Sequence, residues 1–394
     1  MTIRKVVARR LCGDVVEFTI AGNTIRKLSE IHLPFPETLD LPWVTQGLFD
    51  LQVNGSLGIS FNNPDIQEKD IHKVVSHCLS HGMTGILATL VTTDRNSFRR
   101  SLEALERARK QDPLIAKVIA GYHIEGPAIS ALEGYRGAHP AHHTRVPTSQ
   151  EYAEWMDASN GRIRLITLAP EREGTIDWIK ALVRDGIRVA IGHSAATPDE
   201  ISSAAKAGVT ISTHLGNGCA ALIDRHQNPI WPQLAEDRLV PSIITDGHHI
   251  PKSLIKTIIK VKGPSKVILT CDASPLAGLK PGMYQLWEKS FEVHDDGRVT
   301  VPGTPYLAGS GHFLDDCIKK TNRLNIWQPS EIIAAASFNP LSELGLPYQN
   351  IREGQPADFI LWQGGSSEWK PEIAEVCFSG RWVDRNPEAS RTFL

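Results

Sequence analysis

Cysteine pairs are missing from this sequence: Cys12, Cys78, Cys219, Cys271, Cys317 and Cys377 stand far apart, and no C-x-x-C occurs. In a chain of 394 residues that spacing argues against a disulfide frame or a zinc knuckle, and for reduced thiols in a cytoplasmic protein. No apolar run approaches the roughly 20 residues of a membrane helix. The basic N-terminus, MTIRKVVARRLCGDVVEFTI, lacks the uninterrupted apolar stretch of a signal peptide. Excess charge is missing too, since 42 Lys and Arg against 44 Asp and Glu leave a formal net charge of -2. That balance provides no basic field for nucleic acid or an anionic membrane, so any recognition by charge is local. Repeats and low-complexity tracts are absent, and a hydrophobic share of 41% is enough for a full core. Histidine is what the chain has in quantity: fifteen residues, several directly after apolar runs.

From residue 45 onward, strand-like and helix-like segments alternate. The strand candidates are WVTQGLFDLQV (43–53), TGILATLV (84–91), KVIAGYHI (117–124), RIRLITLA (162–169), IRVAI (187–191), VTIST (209–213), VPSIIT (240–245) and KVILTC (266–271). Short runs rich in Val, Ile and Leu suit a parallel sheet buried on both faces. Amphipathic stretches such as DIQEKDIHKVVSHCLSHG, NSFRRSLEALERARKQ and PDEISSAAKAG lie between them. In the last, Thr197 suits a cap, Pro198 the first helical position, Asp199 and Glu200 the first turn, and Gly208 the end. Eight such units predict an α/β fold, a (β/α)8 barrel of the TIM type, spanning 46–344. A doubly wound open sheet would want a Gly-rich phosphate turn after its first strand, and LQVNGSLGISF is not one. Residues 1–45 and 345–394 hold short alternating segments, expected to form one small β-sandwich domain from both termini. A β-hairpin insertion is expected at about 276–309, around HDDGRVTVPGT.

Metal-ligating residue types follow the strand candidates: His123 and Glu125 after the third, His193 after the fifth, His214 after the sixth and Asp272 after the eighth. In a barrel these ends converge on one mouth. One Glu and two imidazoles leave a fourth position for water, as catalytic zinc requires, and an unligated Asp nearby can move that water's proton. A single histidine at a strand end is more often a structural residue, and His123 can equally be a ligand, a support for one, or filler. The pairs His142–His143 and His248–His249 lie in loops, where solvent exposure is the simplest expectation, and charge runs such as FRRSLEALERARK read as solvated faces.

The ordered set GLFDLQVNG, HIEGP, LAPE, GHSAAT, THLGN, DGHHI, CDAS, LAGS and EGQPADFI resembles the N-acetylglucosamine-6-phosphate deacetylase family of the amidohydrolase superfamily, nearly end to end. The resemblance implies Glu125, His193 and His214 as ligands of one divalent metal, zinc first, with iron, manganese or cobalt also compatible. It implies Asp272 as catalytic acid and base and His139, in GAHP, as the group facing the acetyl carbonyl oxygen. Asn217 and Gly218 match the stretch that holds the sugar. Arg225 and His249 match the phosphate contacts, with the arginine supplied by the neighbouring subunit of a homodimer. Many superfamily members carry His-x-His at the end of strand one and a lysine after strand four; Gln52-Val53-Asn54 and Ala169-Pro170-Glu171 stand there instead, which favours a single metal. Gly216, His226-Gln227-Asn228, Arg136, His142 and His143 depart from the family pattern around the sugar pocket. The expected reaction is hydrolysis of the acetamide of an amino sugar phosphate. The alternatives are a related amidohydrolase acting on another N-acyl or cyclic amide without phosphate, and a non-catalytic sugar-binding barrel.

Overall fold

The computed structural model describes residues 4–385 other than 36, 287, 288 and 305, so residues 1–3 and 386–394 of the expected terminal domain lie outside the described residues. Barrel strands one to eight run Leu48–Val53, Met83–Val91, Ile119–Glu125, Ile163–Leu168, Arg188–Ile191, Ile211–Ser212, Val240–Ile243 and Ile268–Leu269. Each hydrogen-bonds to the next in chain order, all parallel. The two edges meet where Val53 bridges Ala273 in parallel. Beside that bridge the Asp50 carboxylate of strand one accepts hydrogen bonds from Thr270 Oγ1 (2.5 Å) and Cys271 N (2.8 Å), so a side chain completes a closure that a two-residue strand eight leaves unfinished.

Two strand boundaries correct the sequence reading. WVTQGLFDLQV is two strands: Trp43–Gln46 pairs with the terminal segments, and only Leu48–Val53 enters the barrel. Gly47 separates them because a Cβ there would lie 2.1 Å from Thr84 Oγ1, where the chain passes tightly over strand two. KVIAGYHI begins as the end of a helix, Pro113–Val118, which Asp112 caps by accepting from Leu114 N, and extends only from Ile119. Hydrophobic content is alike in both halves, so the Asp-Pro start was the informative signal. The helix Pro198–Ala207 has the expected ends: Thr197 and Glu200 form a reciprocal capping box, and Gly208 sits at φ +116.

Both termini build one seven-stranded sheet, ordered Arg381–Trp382, Ile373–Phe378, Phe359–Trp362, Trp43–Gln46, Arg4–Arg9, Val15–Ala21 and Thr24–Ile31. Its own core includes Val16, Phe18, Phe359 and Cys377, with Phe18 and Phe359 edge to face at 5.2 Å. The insertion is a four-stranded antiparallel meander rather than a single hairpin: Gly282–Leu286, Lys289–Val293, Arg298–Thr300 and Leu307–Ser310. Leu276, Phe291, Val293 and Val299 form its core. All six cysteines are free, and among the described residues no helix is long and apolar enough to cross a membrane.

Candidate active site

Parallel strands in a closed barrel all end at one rim, so the residues just past strands three, five, six and eight face one another. They enclose a cavity of about 600 Å³. Glu125, His193, His214, His139, Asp272, Asn217, Gly218 and His249 all line it. Among the described residues seven non-glycines have positive φ, and three of them are His193 (+50°), His214 (+31°) and Asp272 (+50°). Left-handed backbone is costly for residues with a Cβ and gathers where function needs a side chain aimed against local preference.

One ligating atom each from Glu125, His193 and His214 lies within 4.8 Å of the others. Glu125 Oε1 is 3.0 Å from His214 Nε2 and 3.5 Å from His193 Nε2. His193 Nδ1 is 3.0 Å from the Tyr135 carbonyl oxygen, which can only accept, so Nδ1 carries the proton. In the neutral ring the Nε2 lone pair then faces a carboxylate oxygen, an opposition that a cation between them relieves. Burial alone would raise Glu125, yet its contacts with the His193 and His214 imidazoles hold its carboxyl well below the ordinary range. An anionic carboxylate and two imidazoles in a buried cluster suit a divalent metal ion.

Neighbours hold these groups in place. Gln52 Nε2 donates to Glu125 Oε1 (3.1 Å), and Asn54 Nδ2 donates to Asp272 Oδ1 (2.8 Å). The two amides that replace a His-x-His pair thus orient the carboxylates. Asp272 is raised, first by burial and then by the charge of Glu125. His139 Nδ1 is 2.9 Å from Thr92 Oγ1, and its Nε2 points toward Glu125 Oε2 at 3.9 Å. Burial and the neighbouring His193 push His139 down to about 3, so the ring stays neutral. Glu171, in the expected place of a lysine, accepts from Ser194 Oγ (2.7 Å) and Ala195 N (2.8 Å), gripping the loop just past His193. A Cβ on Gly218, at φ +61, would lie 2.9 Å from His193 Nδ1, so only glycine lets this loop pass.

Other predicted residues fall elsewhere. His123 is inside the barrel and off the cavity: Nδ1 is 3.0 Å from the Leu51 carbonyl oxygen and Nε2 is 2.7 Å from Thr167 Oγ1, so both nitrogens are spent and the ligand option closes. The expectation of solvent exposure holds for His142, whereas His143, His248 and His249 are half-buried, and all four line the cavity. The His249 side chain is only 5% exposed, with Nδ1 at 2.8 Å from Asp246 Oδ2. Arg225 is exposed on its own chain and does not line that chain's cavity. Gly216 sits at φ +99, where a Cβ would press to 2.9 Å from Leu254 Cδ2, so this wall carries no side chain. Thr92, Asp246 and the meander residues Lys289, Phe291 and Tyr306 were not singled out from the sequence, although all but Asp246 line the cavity. Asp246 in DGHH carries a local signal, an Asp followed by backbone N–H groups two and three residues on. The rest reach the site only through tertiary packing.

Residues 32–385 match the Amidohydrolase family. N-acetylglucosamine-6-phosphate deacetylase of Bos taurus is 32% identical over 328 residues, covering 80% of this chain and 78% of that protein. N-acetylgalactosamine-6-phosphate deacetylase of Escherichia coli O157:H7 is 26% identical over 356 residues, covering 89% and 92%. Among solved structures, N-acetyl-D-glucosamine-6-phosphate deacetylase from Mycobacterium smegmatis superposes with a TM-score of 0.85 at 26% identity, covering 98% of this chain and all (100%) of that one. With its barrel, its ordered motifs and these relatives in agreement, the chain belongs to the amidohydrolase family and, within it, to the N-acetylglucosamine-6-phosphate deacetylases.

Proposed function

We propose that the protein hydrolyses the acetamide of N-acetylglucosamine 6-phosphate, or a close amino sugar phosphate, to acetate and the free amine. The observation that carries this is the meeting of Glu125, His193 and His214 within 4.8 Å on a cavity shared with Asp272 and His139. Those three would hold one divalent ion, zinc by preference for imidazole and carboxylate at an open four-coordinate site. Such an ion supplies Lewis acidity, polarising the acetyl carbonyl and acidifying water.

The chain's own groups do the rest. Asn54 occupies Asp272 Oδ1 and leaves Oδ2 to take a proton from the attacking water. The same carboxyl then returns that proton to the departing nitrogen, acting as base and acid in turn. His139 Nδ1 lies 2.9 Å from the Thr92 hydroxyl; in the tautomer in which Nδ1 accepts there, the neutral ring keeps its proton on Nε2 and offers it to the carbonyl oxygen as charge develops there. One such donor contributes about 3–4 kcal/mol to the transition state. Asn217 and Gly218 border the sugar. His249, with Arg225 of the partner subunit in a homodimer, meets the phosphate, for which a guanidinium's paired donors are well suited. Six free cysteines fit work in the reducing cytoplasm.

Acetate release from N-acetylglucosamine and N-acetylgalactosamine, each with and without 6-phosphate, tests the reading. Turnover of the phosphorylated sugars is expected, with the Arg225→Ala variant impaired on them. Indifference to phosphate would transfer the chain to amidohydrolases of unphosphorylated amides.

A further inference from the structure

Asp246 follows strand seven and is 1% exposed, yet it faces no metal ligand. Its carboxylate takes four donors. Oδ1 accepts the backbone N–H of His248 (2.9 Å) and of His249 (3.0 Å). Oδ2 accepts His249 Nδ1–H (2.8 Å) and the Ser310 hydroxyl (3.1 Å). Ser310 Oγ already accepts His312 N–H (3.0 Å), which leaves its own proton for Asp246. Burial alone would raise this carboxyl, but the bonds from His249 and the backbone hold it well below the ordinary range, so it is a permanent acceptor.

The two partners on Oδ2 lead to two different parts of the site. His249, its Nδ1 engaged, has only Nε2 left for the cavity it lines. Ser310, at the close of the meander, donates its backbone N–H to the Asp272 carbonyl oxygen (2.9 Å) and accepts from Ser274 N (2.8 Å). These bonds flank Ala273 and fix the backbone that leaves Asp272, the residue at φ +50. Lys320 Nζ binds the Asp246 carbonyl oxygen and lies 3.1 Å from His312 Nε2, closing the network behind the carboxylate.

We infer that Asp246 is a positioning residue shared by substrate recognition and chemistry, one carboxylate oxygen aligning both the anion-facing His249 and, through Ser310, the backbone of Asp272. This rests on the reading of His249 as a phosphate contact and of Asp272 as the proton carrier. It follows that the two arms separate kinetically. Loss of His249 removes binding that ground and transition states share and shows in KM, whereas loss of Ser310 misplaces Asp272 and shows in kcat.

The test uses full-length, metal-loaded enzyme with metal content measured for every variant, and N-acetylglucosamine with and without 6-phosphate. His249→Gln should raise KM for the phosphorylated sugar about tenfold and Ser310→Ala should lower kcat about tenfold, the worth of one hydrogen bond to a charged group. Asp246→Asn should do both, and Asp246→Asn/His249→Gln should be no worse in KM than His249→Gln alone, because the two act as one unit. Should Asp246→Asn fail to fold, the separate KM and kcat signatures of His249→Gln and Ser310→Ala still decide the matter. The proposal is overturned if Ser310→Ala leaves kcat within about twofold, or if Asp246→Asn moves only one of the two parameters. If instead wild-type enzyme handles both sugars alike, the phosphate reading falls while the kcat effect of Ser310→Ala separately judges the Asp272 arm.

Discussion

Replacing Asp272 by Asn is the sharpest perturbation of the proposed chemistry, because it changes charge without changing shape. The amide oxygen can still accept from Asn54 Nδ2, now 2.8 Å from Asp272 Oδ1, so side-chain orientation survives. What disappears is the ability to take and return a proton, and general acid–base catalysis contributes roughly 10²–10⁴ in rate. At about 1.4 kcal/mol per decade that is about 3–6 kcal/mol on the barrier. Although Asp272 serves two steps, only the slower one is read in kcat, so the losses do not add. Metal stays bound, since Glu125, His193 and His214 supply the donors without it. Stability gives an independent readout on metal-stripped protein. Asp272 is raised by burial and by Glu125, so its ionisation costs stability above the raised value, and the cost vanishes on acidification below the unfolded value. The Asn variant therefore melts higher than wild type at neutral pH, and the gap closes toward pH 4, near the unperturbed aspartate value. Acetate release, metal analysis and the two melts together decide it. A kcat within tenfold of wild type at equal metal content would refute the proton-carrier role, and loss of metal would make Asp272 a ligand first.

Thr92→Val removes the hydroxyl that sets the His139 tautomer; kcat should fall about tenfold or more through the lost donor, with metal content unchanged and Thr92→Ser restoring most of it. Gly218→Ala places a Cβ 2.9 Å from His193 Nδ1 and competes with the Tyr135 carbonyl that holds the ring. Disturbing such an outer partner should weaken metal affinity about 10–100-fold, measured by competition with a chelator. Thr197→Ala breaks the capping box of the helix Pro198–Ala207 far from the chemistry, so denaturant unfolding should show a loss of about 1 kcal/mol at unchanged kcat.

Local physics made much of this protein legible in advance. The alternation of buried strands with capped amphipathic helices specifies a barrel, since strands apolar on both faces need helices outside and packed side chains within. The same order places Glu125, His193, His214 and Asp272 at one rim, because parallel strands share a direction. Boundaries were less visible. Trp43–Gln46 and Leu48–Val53 read as one apolar run, and only the squeeze of Gly47 against Thr84 divides them. A period of two cannot say which sheet a strand joins.

The strand order of the terminal sheet, the full four-stranded form of the meander and the supports of the site belong to tertiary structure. His123 carries the same local signal as a ligand, yet Leu51 and Thr167 consume both its nitrogens. Thr92 and Ser310 look ordinary in sequence and acquire roles through partners 47 and 64 residues away. Hydrogen bonds between loops depend on where the barrel brings those loops, and that placement is a property of the closed fold. The sequence by itself determined which groups can bind metal and carry protons; the packed barrel decided which of them face one another and which are held still enough to act.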